Sequence, residues 1–204
     1  MIGYAARTTN RRNLKQLRDN DWRLLLSPLQ SWTTYGMRYA LDNGAWTAHV
    51  TGQPWNEKRF FSCLKARGRD ADFVVLPDIV GGGVKSFERS HWWLPVVADY
   101  TALPMLPAQD GFIDAYVSGM IGPGMGLFVG GTTAWKEKTM AHWAGLARAC
   151  DALCHVGRVN TVRRIALCAA AGADSFDGSA PSRYALEFAK LDLARRQGDL
   201  LVSN

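Results

Sequence analysis

No uninterrupted apolar run in this 204-residue sequence approaches the ~18 residues that a membrane-spanning helix needs, so no transmembrane segment is expected. Near the start, Arg7, Arg11 and Arg12 stand where a secretion signal would carry its apolar core. Cysteine is scarce, with four irregularly spaced residues, Cys63, Cys150, Cys154 and Cys168. That excludes a disulfide framework and points to a reducing, cytoplasmic setting. Twenty Gly and eight Pro are scattered without period, which excludes collagen-like and low-complexity chains. There is no internal repeat of roughly 20–50 residues. A phosphate loop and a GxGxxG fingerprint are also missing, which disfavours a nucleoside-triphosphate or dinucleotide site, and no cofactor is expected. Cys150, Cys154 and His155 lie close in sequence, but a structural zinc needs four suitably spaced ligands. The cysteines therefore read as buried free thiols, and no metal is expected.

What remains is ordinary globular chemistry. Hydrophobic residues make up 48% and charged residues 21%, the balance of one folded domain spanning 1–204 and not of a disordered chain. A chain of this size buries roughly 70% of its unfolded surface, enough for a full core. Twenty-four Lys and Arg against eighteen Asp and Glu leave a net charge of +6. A basic surface concentrates polyanions, nucleic acid above all, although a solvated basic face reads the same way from charge alone. The eight Trp can stack on unpaired bases, but most are expected in the core or between helices.

Short runs that are apolar on both faces recur at 1–6, 22–26, 38–42, 72–77, 103–107, 126–130, 153–159 and 174–177. Such runs suit strands of a parallel sheet covered on both sides. Helix-like segments lie between them at 10–18, 56–67, 85–98, 136–150, 161–171 and 182–196. In the fifth, Val162, Ile165, Ala166 and Ala169 recur at helical spacing, with Thr161 before and Gly172 after as caps. Eight strands with intervening helices are the count of a compact (β/α)8 barrel, its helices shortened after strands two and five. An open doubly wound sheet uses the same units, and the count favours the barrel.

Barrels gather functional groups at the C-terminal ends of their strands. Those ends read Asp42-Asn43-Gly44, Pro77-Asp78, Gln109-Asp110, Gly130-Gly131-Thr132, Gly157-Arg158 and Asp177-Gly178-Ser179. Any single Asp here reads equally well as a helix cap. Several carboxylates converging on one rim suit cleavage of a glycosidic bond, with one acting as nucleophile and another handling protons. Gly130-Gly131 and Gly81-Gly82-Gly83 permit close backbone approach to a ligand, or simply tight turns. Gly157-Arg158 suits a phosphate contact, or a plain surface arginine.

Taken in order, these strand ends resemble the tRNA-guanine transglycosylases and the related enzymes that place deazaguanines in DNA. The segment 173–178 (Ala-Asp-Ser-Phe-Asp-Gly), with Pro181-Ser182-Arg183 after it, is similar to the one carrying that family's nucleophilic aspartate. The segment 128–132 (Phe-Val-Gly-Gly-Thr) resembles its glycine-rich base-binding loop, and 41–46 (Leu-Asp-Asn-Gly-Ala-Trp) the segment of its proton-transferring Asp. Residues 75–78 and 106–110 resemble the strand ends whose Asp and Gln hold the base, and 155–158 the strand near the phosphates. The resemblance covers most of the chain. The family's tRNA enzymes end in a cysteine-rich zinc subdomain, for which this sequence has no counterpart. Small size and basic charge are closer to the DNA-acting members, among them bacterial anti-phage glycosylases that remove glucosylated hydroxymethylcytosine.

The resemblance thus implies a DNA glycosylase acting on a flipped modified base and leaving an abasic site. Asp177 would be the nucleophile and Asp42 the proton carrier. Asp78 and Gln109 would hold the base edge, with Asn43, Trp46 and the Gly130 and Gly131 amides completing the pocket. Arg158 and Arg183 would hold phosphates. A transglycosylase that exchanges bases in DNA or tRNA is the nearest alternative. A barrel isomerase or lyase for a phosphorylated metabolite, and a catalytically inactive nucleic-acid-binding barrel, stay open as well.

Overall fold

The structure, a computed structural model, describes residues 1–202. Eight strands follow one another around a closed, all-parallel barrel: β1 (Ile2–Ala6), β2 (Arg23–Leu26), β3 (Tyr39–Leu41), β4 (Val74–Val75), β5 (Pro104–Ala108), β6 (Gly126–Val129), β7 (Cys154–Val156) and β8 (Ser175–Gly178). Closure comes from β1 pairing with β8, with Ile2 opposite Ser175 and Tyr4 opposite Asp177. This is the compact (β/α)8 architecture, and each expected apolar run overlaps one of its strands, β5 and β8 each extending one residue past theirs.

Side chains alternate across each strand, so every strand serves two cores. Leu24, Leu26, Leu106, Leu127, Val156 and Phe176 belong to the large cluster packed beneath the helices. Tyr4, Ala40, Phe73, Val75 and Met105 form the smaller cluster that fills the barrel itself. Below them, at the N-terminal end, Asp72 accepts from the Tyr4 hydroxyl at 2.9 Å, Arg23 at 3.0 Å and Arg38 at 2.6 Å. Burial, then the Asp72 charge, pushes the Tyr4 phenol above its ordinary range. This plug closes the lower end with satisfied polar groups.

The helices are α1 (Arg11–Asp19), α2 (Ala45–Thr51), α3 (Glu57–Arg67), α4 (Val84–Ala98), α5 (Asp114–Ser118), α6 (Thr133–Ala149), α7 (Val162–Ala171), α8 (Ala180–Arg183) and α9 (Phe188–Val202). Asn10, Asn56, Thr132 and Thr161 cap α1, α3, α6 and α7 through side-chain oxygens. No described helix follows β2, and only five-residue α5 follows β5. None of the described helices is long and apolar enough to cross a membrane.

Two helical features differ from the sequence pattern. Helix α2 starts from Gly44 in the left-handed region (φ 79°), a start that apolar periodicity does not reveal. The expected helix over 182–196 is instead two helices, because α8 stops at Tyr184, whose ψ of 84° is not helical. Both differences sit at the C-terminal mouth of the barrel, where they shape the cavity.

Candidate functional site

The mouth holds a cavity of about 500 Å³, within the usual range of small-molecule sites. Asp42, Asn43, Trp46, Asp78, Gln109, Gly130, Gly131, Arg158, Asp177 and Arg183 all line it. Every site residue picked from the sequence therefore meets at one place. Their individual positions assign them different kinds of work.

Asp177 projects inward from β8 and is 7% exposed. Its Oδ2 lies 3.1 Å from His155 Nε2, while Oδ1 has no hydrogen-bond partner among the described residues. Asp42 follows β3 and accepts from the Gly44 amide at 3.2 Å. Burial, and next the negative charge of Asp177, push its carboxyl up to about 7. Near neutral pH, Asp42 can therefore both give and take a proton.

Asp78 follows β4 and is held at both oxygens, by Asn43 Nδ2 at 2.9 Å and Gln109 Nε2 at 3.1 Å. Burial pushes its carboxyl up to about 6 against the opposing Asn43 hydrogen bond. The amides that hold Asp78 are themselves fully engaged. Asn43 donates to the Leu76 carbonyl at 2.7 Å and accepts from Ala45 at 2.8 Å. Gln109 accepts from the Gly81 amide at 2.6 Å and donates to the Ile79 carbonyl at 2.9 Å and to Ser86 Oγ. Asn43 and Gln109 thus orient Asp78 and the loop after β4, and all three side chains line the cavity. Gly130 is similarly committed, its amide donating to Ala108 at 2.8 Å. The Gly131 amide has no partner among the described residues, and a φ of 72° suits that position to glycine.

Arg158 is not a free rim cation. Its guanidinium stacks on the Trp46 ring at 3.6 Å and donates to the Gly131 carbonyl. Its backbone adopts φ 59°, a left-handed conformation that costs a non-glycine residue of order 1 kcal/mol and is found at functional sites. Lys136, buried behind the wall, donates to the Gly157 carbonyl and so anchors this turn; burial pushes its ammonium down to about 8. Arg183 is exposed on α8 and also lines a neighbouring cavity of about 420 Å³ together with Asn160 and Tyr184.

Two side chains outside the sequence-derived set complete the arrangement. His155, fully buried, lies directly against Asp177. Asn160 lines the cavity, and its Oδ1 accepts from the Ser179 and Ala180 amides at 2.7 and 2.9 Å, fixing the turn after β8. Strand alternation is the one sequence signal for His155: two residues before Gly157, it must share that residue's inward face.

The described cysteines are all free, with Cys63, Cys154 and Cys168 buried and Cys150 half-buried. Burial raises the three buried thiols to about 12, far from a reactive range. Among the described residues, no group of three or more His, Cys, Asp and Glu is placed to hold a metal ion. Compared with known proteins, the chain matches no family model and no curated sequence.

Proposed function

We propose that this protein is an N-glycosidase that excises a modified base from DNA and leaves an abasic site. The observation that carries the reading is the convergence of Asp42, Asp78 and Asp177, from three different strand ends, on one cavity. A nucleotide flipped out of its stack would enter the barrel mouth. Asp177 Oδ1 attacks C1′ as the C1′–N bond breaks and the departing base receives a proton from Asp42. Water then attacks C1′ and gives a proton to Asp42, while the sugar–carboxylate bond breaks and restores Asp177. Asp78 and the Gly131 amide face the base, the first as acceptor and the second as donor. Trp46 supplies a stacking surface, and Arg183 a cation for the flanking phosphate.

The likeness to glycosylases of glucosylated hydroxymethylcytosine makes DNA carrying that base the first substrate to test, and defence against phage the corresponding role. The protein would be incubated with glucosylated and unmodified phage DNA, and released bases identified by mass spectrometry. Release of the modified base with matching abasic sites is expected. Intact bases in every modified DNA, with the folded protein bound, would refute the reading.

A further inference from the structure

His155 has a place that neither the sequence nor the proposed reaction accounts for. It is wholly buried on β7, its ring stacked on Phe128 at 4.9 Å and packed against Phe73 at 4.9 Å and Tyr4 at 5.6 Å. Inside this aromatic box both ring nitrogens have a polar partner. Nδ1 lies 2.8 Å from Ser175 Oγ, and Nε2 lies 3.1 Å from Asp177 Oδ2. Ser175 and Asp177 stand two residues apart on β8, facing the same way, and His155 pairs with Ser175 across the strands. The three side chains form a column running from the barrel core to the cavity floor.

We propose that His155 is a positioning residue for Asp177, donating its Nε2–H to Oδ2 while Nδ1 accepts the Ser175 hydroxyl proton. An ionised carboxylate only accepts, so this bond requires the proton on Nε2. The Ser175 hydroxyl, able to donate or accept, donates to Nδ1 in that tautomer. With Oδ2 tied down, Oδ1 is left as the oxygen that can attack. The inference rests on the glycosidase reading for its catalytic meaning. When Oδ1 bonds to C1′ and the base leaves, Oδ2 becomes the carbonyl oxygen of the ester. When water displaces the sugar, the electron pair of the breaking C1′–Oδ1 bond returns to the carboxylate, and the Nε2–H meets the charge that develops there. A donor aimed at developing charge in a buried site acts on the chemical step and not on substrate binding.

Gly157 makes this contact possible. It follows β7 directly, two residues beyond His155, and a Cβ there would lie 2.6 Å from the Phe128 ring and 3.3 Å from Asp177 Oδ2. Only a residue without a side chain lets His155, Phe128 and Asp177 close on one another.

The test uses two independent readouts on the intact protein. His155→Phe keeps a flat ring in the aromatic box but removes the donor. It should lower kcat for base release by roughly 10²–10³-fold with KM nearly unchanged. His155→Gln, which retains an N–H near the Nε2 position, should restore most of that rate. A wild-type kcat in a folded His155→Phe variant overturns the proposal. The second readout is imidazole nitrogen NMR of the wild-type protein near neutral pH, which needs no activity. It should show the proton on Nε2 with Nδ1 as the acceptor, and Ser175→Ala should perturb Nδ1. A proton on Nδ1, or on both nitrogens, overturns the proposal. Absent base release by the wild-type protein refutes the glycosidase reading instead, and the NMR result still decides the tautomer.

Discussion

Replacing Asp42 by Asn should make the protein more stable while making it a poorer catalyst. Burial, followed by the Asp177 charge, raises the Asp42 carboxyl from 3.8 to about 7, which corresponds to about 4 kcal/mol against its ionised form. Water at the open mouth screens part of that, leaving an expected net effect of about 2 kcal/mol. A carboxyl with a raised native pKa binds its proton more tightly folded than unfolded. Stability therefore falls as pH rises from about 4 to about 7 and levels off above. The Asn side chain carries no charge, and its oxygen can still accept from the Gly44 amide. Asp42→Asn should thus match the wild type near pH 4 and exceed it by about 2 kcal/mol near pH 8, or roughly 4–8 °C in Tm. Denaturant titrations of both proteins across that pH range measure the difference directly. Equal stability at every pH, or a variant less stable above pH 7, would refute the claim that Asp42 is held in a costly charged state. Base release should slow in the variant without vanishing, because solvent can partly replace a proton carrier.

Three further outcomes follow from other parts of the molecule. Asp72→Ala leaves Arg23 and the Tyr4 hydroxyl without their buried partner and should cost about 3 kcal/mol in denaturant unfolding. Because this plug lies at the end of the barrel away from the cavity, activity per folded molecule should be unchanged. Gly157→Ala drives a methyl into Phe128 and toward Asp177, so it should lose about 1–3 kcal/mol of stability and most base-release activity. Affinity for DNA in fluorescence-anisotropy titrations should fall steeply with salt, with a log–log slope of about −0.9 per phosphate neutralised; a flat response would remove the phosphate contacts from the account.

The barrel is legible in the sequence because short, largely apolar runs recur eight times with helix-like or turn segments between them. Even β4, reduced to Val74–Val75, lies within the run at 72–77. The acidic strand ends are legible for the same reason: Asp42, Asp78 and Asp177 follow apolar runs, and closing the barrel brings such ends to one rim. What the sequence withholds depends on register and on competition for hydrogen bonds. His155 reads as one polar residue in an apolar run until the pairing of β7 with β8 sets it between Ser175 and Asp177. Gln109 and Asn43 suit base contacts by type, yet their amides are taken up by Asp78 and nearby backbone. Arg158 reads as a phosphate ligand, but the αL turn folds it back over Trp46. Helix α2 escapes because only the left-handed Gly44 marks its start.

If Asp177 is the nucleophile, Asp177→Asn should lose all base release. As a mere cap for the turn after β8, Asn would serve almost equally well. As a nucleophile, an amide attacks C1′ poorly and leaves worse. Mass spectrometry of bases released from glucosylated DNA by both proteins, at matched fold and DNA affinity, decides between the two. Base release by the wild type and none by Asp177→Asn is expected; full release by the variant would refute the nucleophilic role of Asp177.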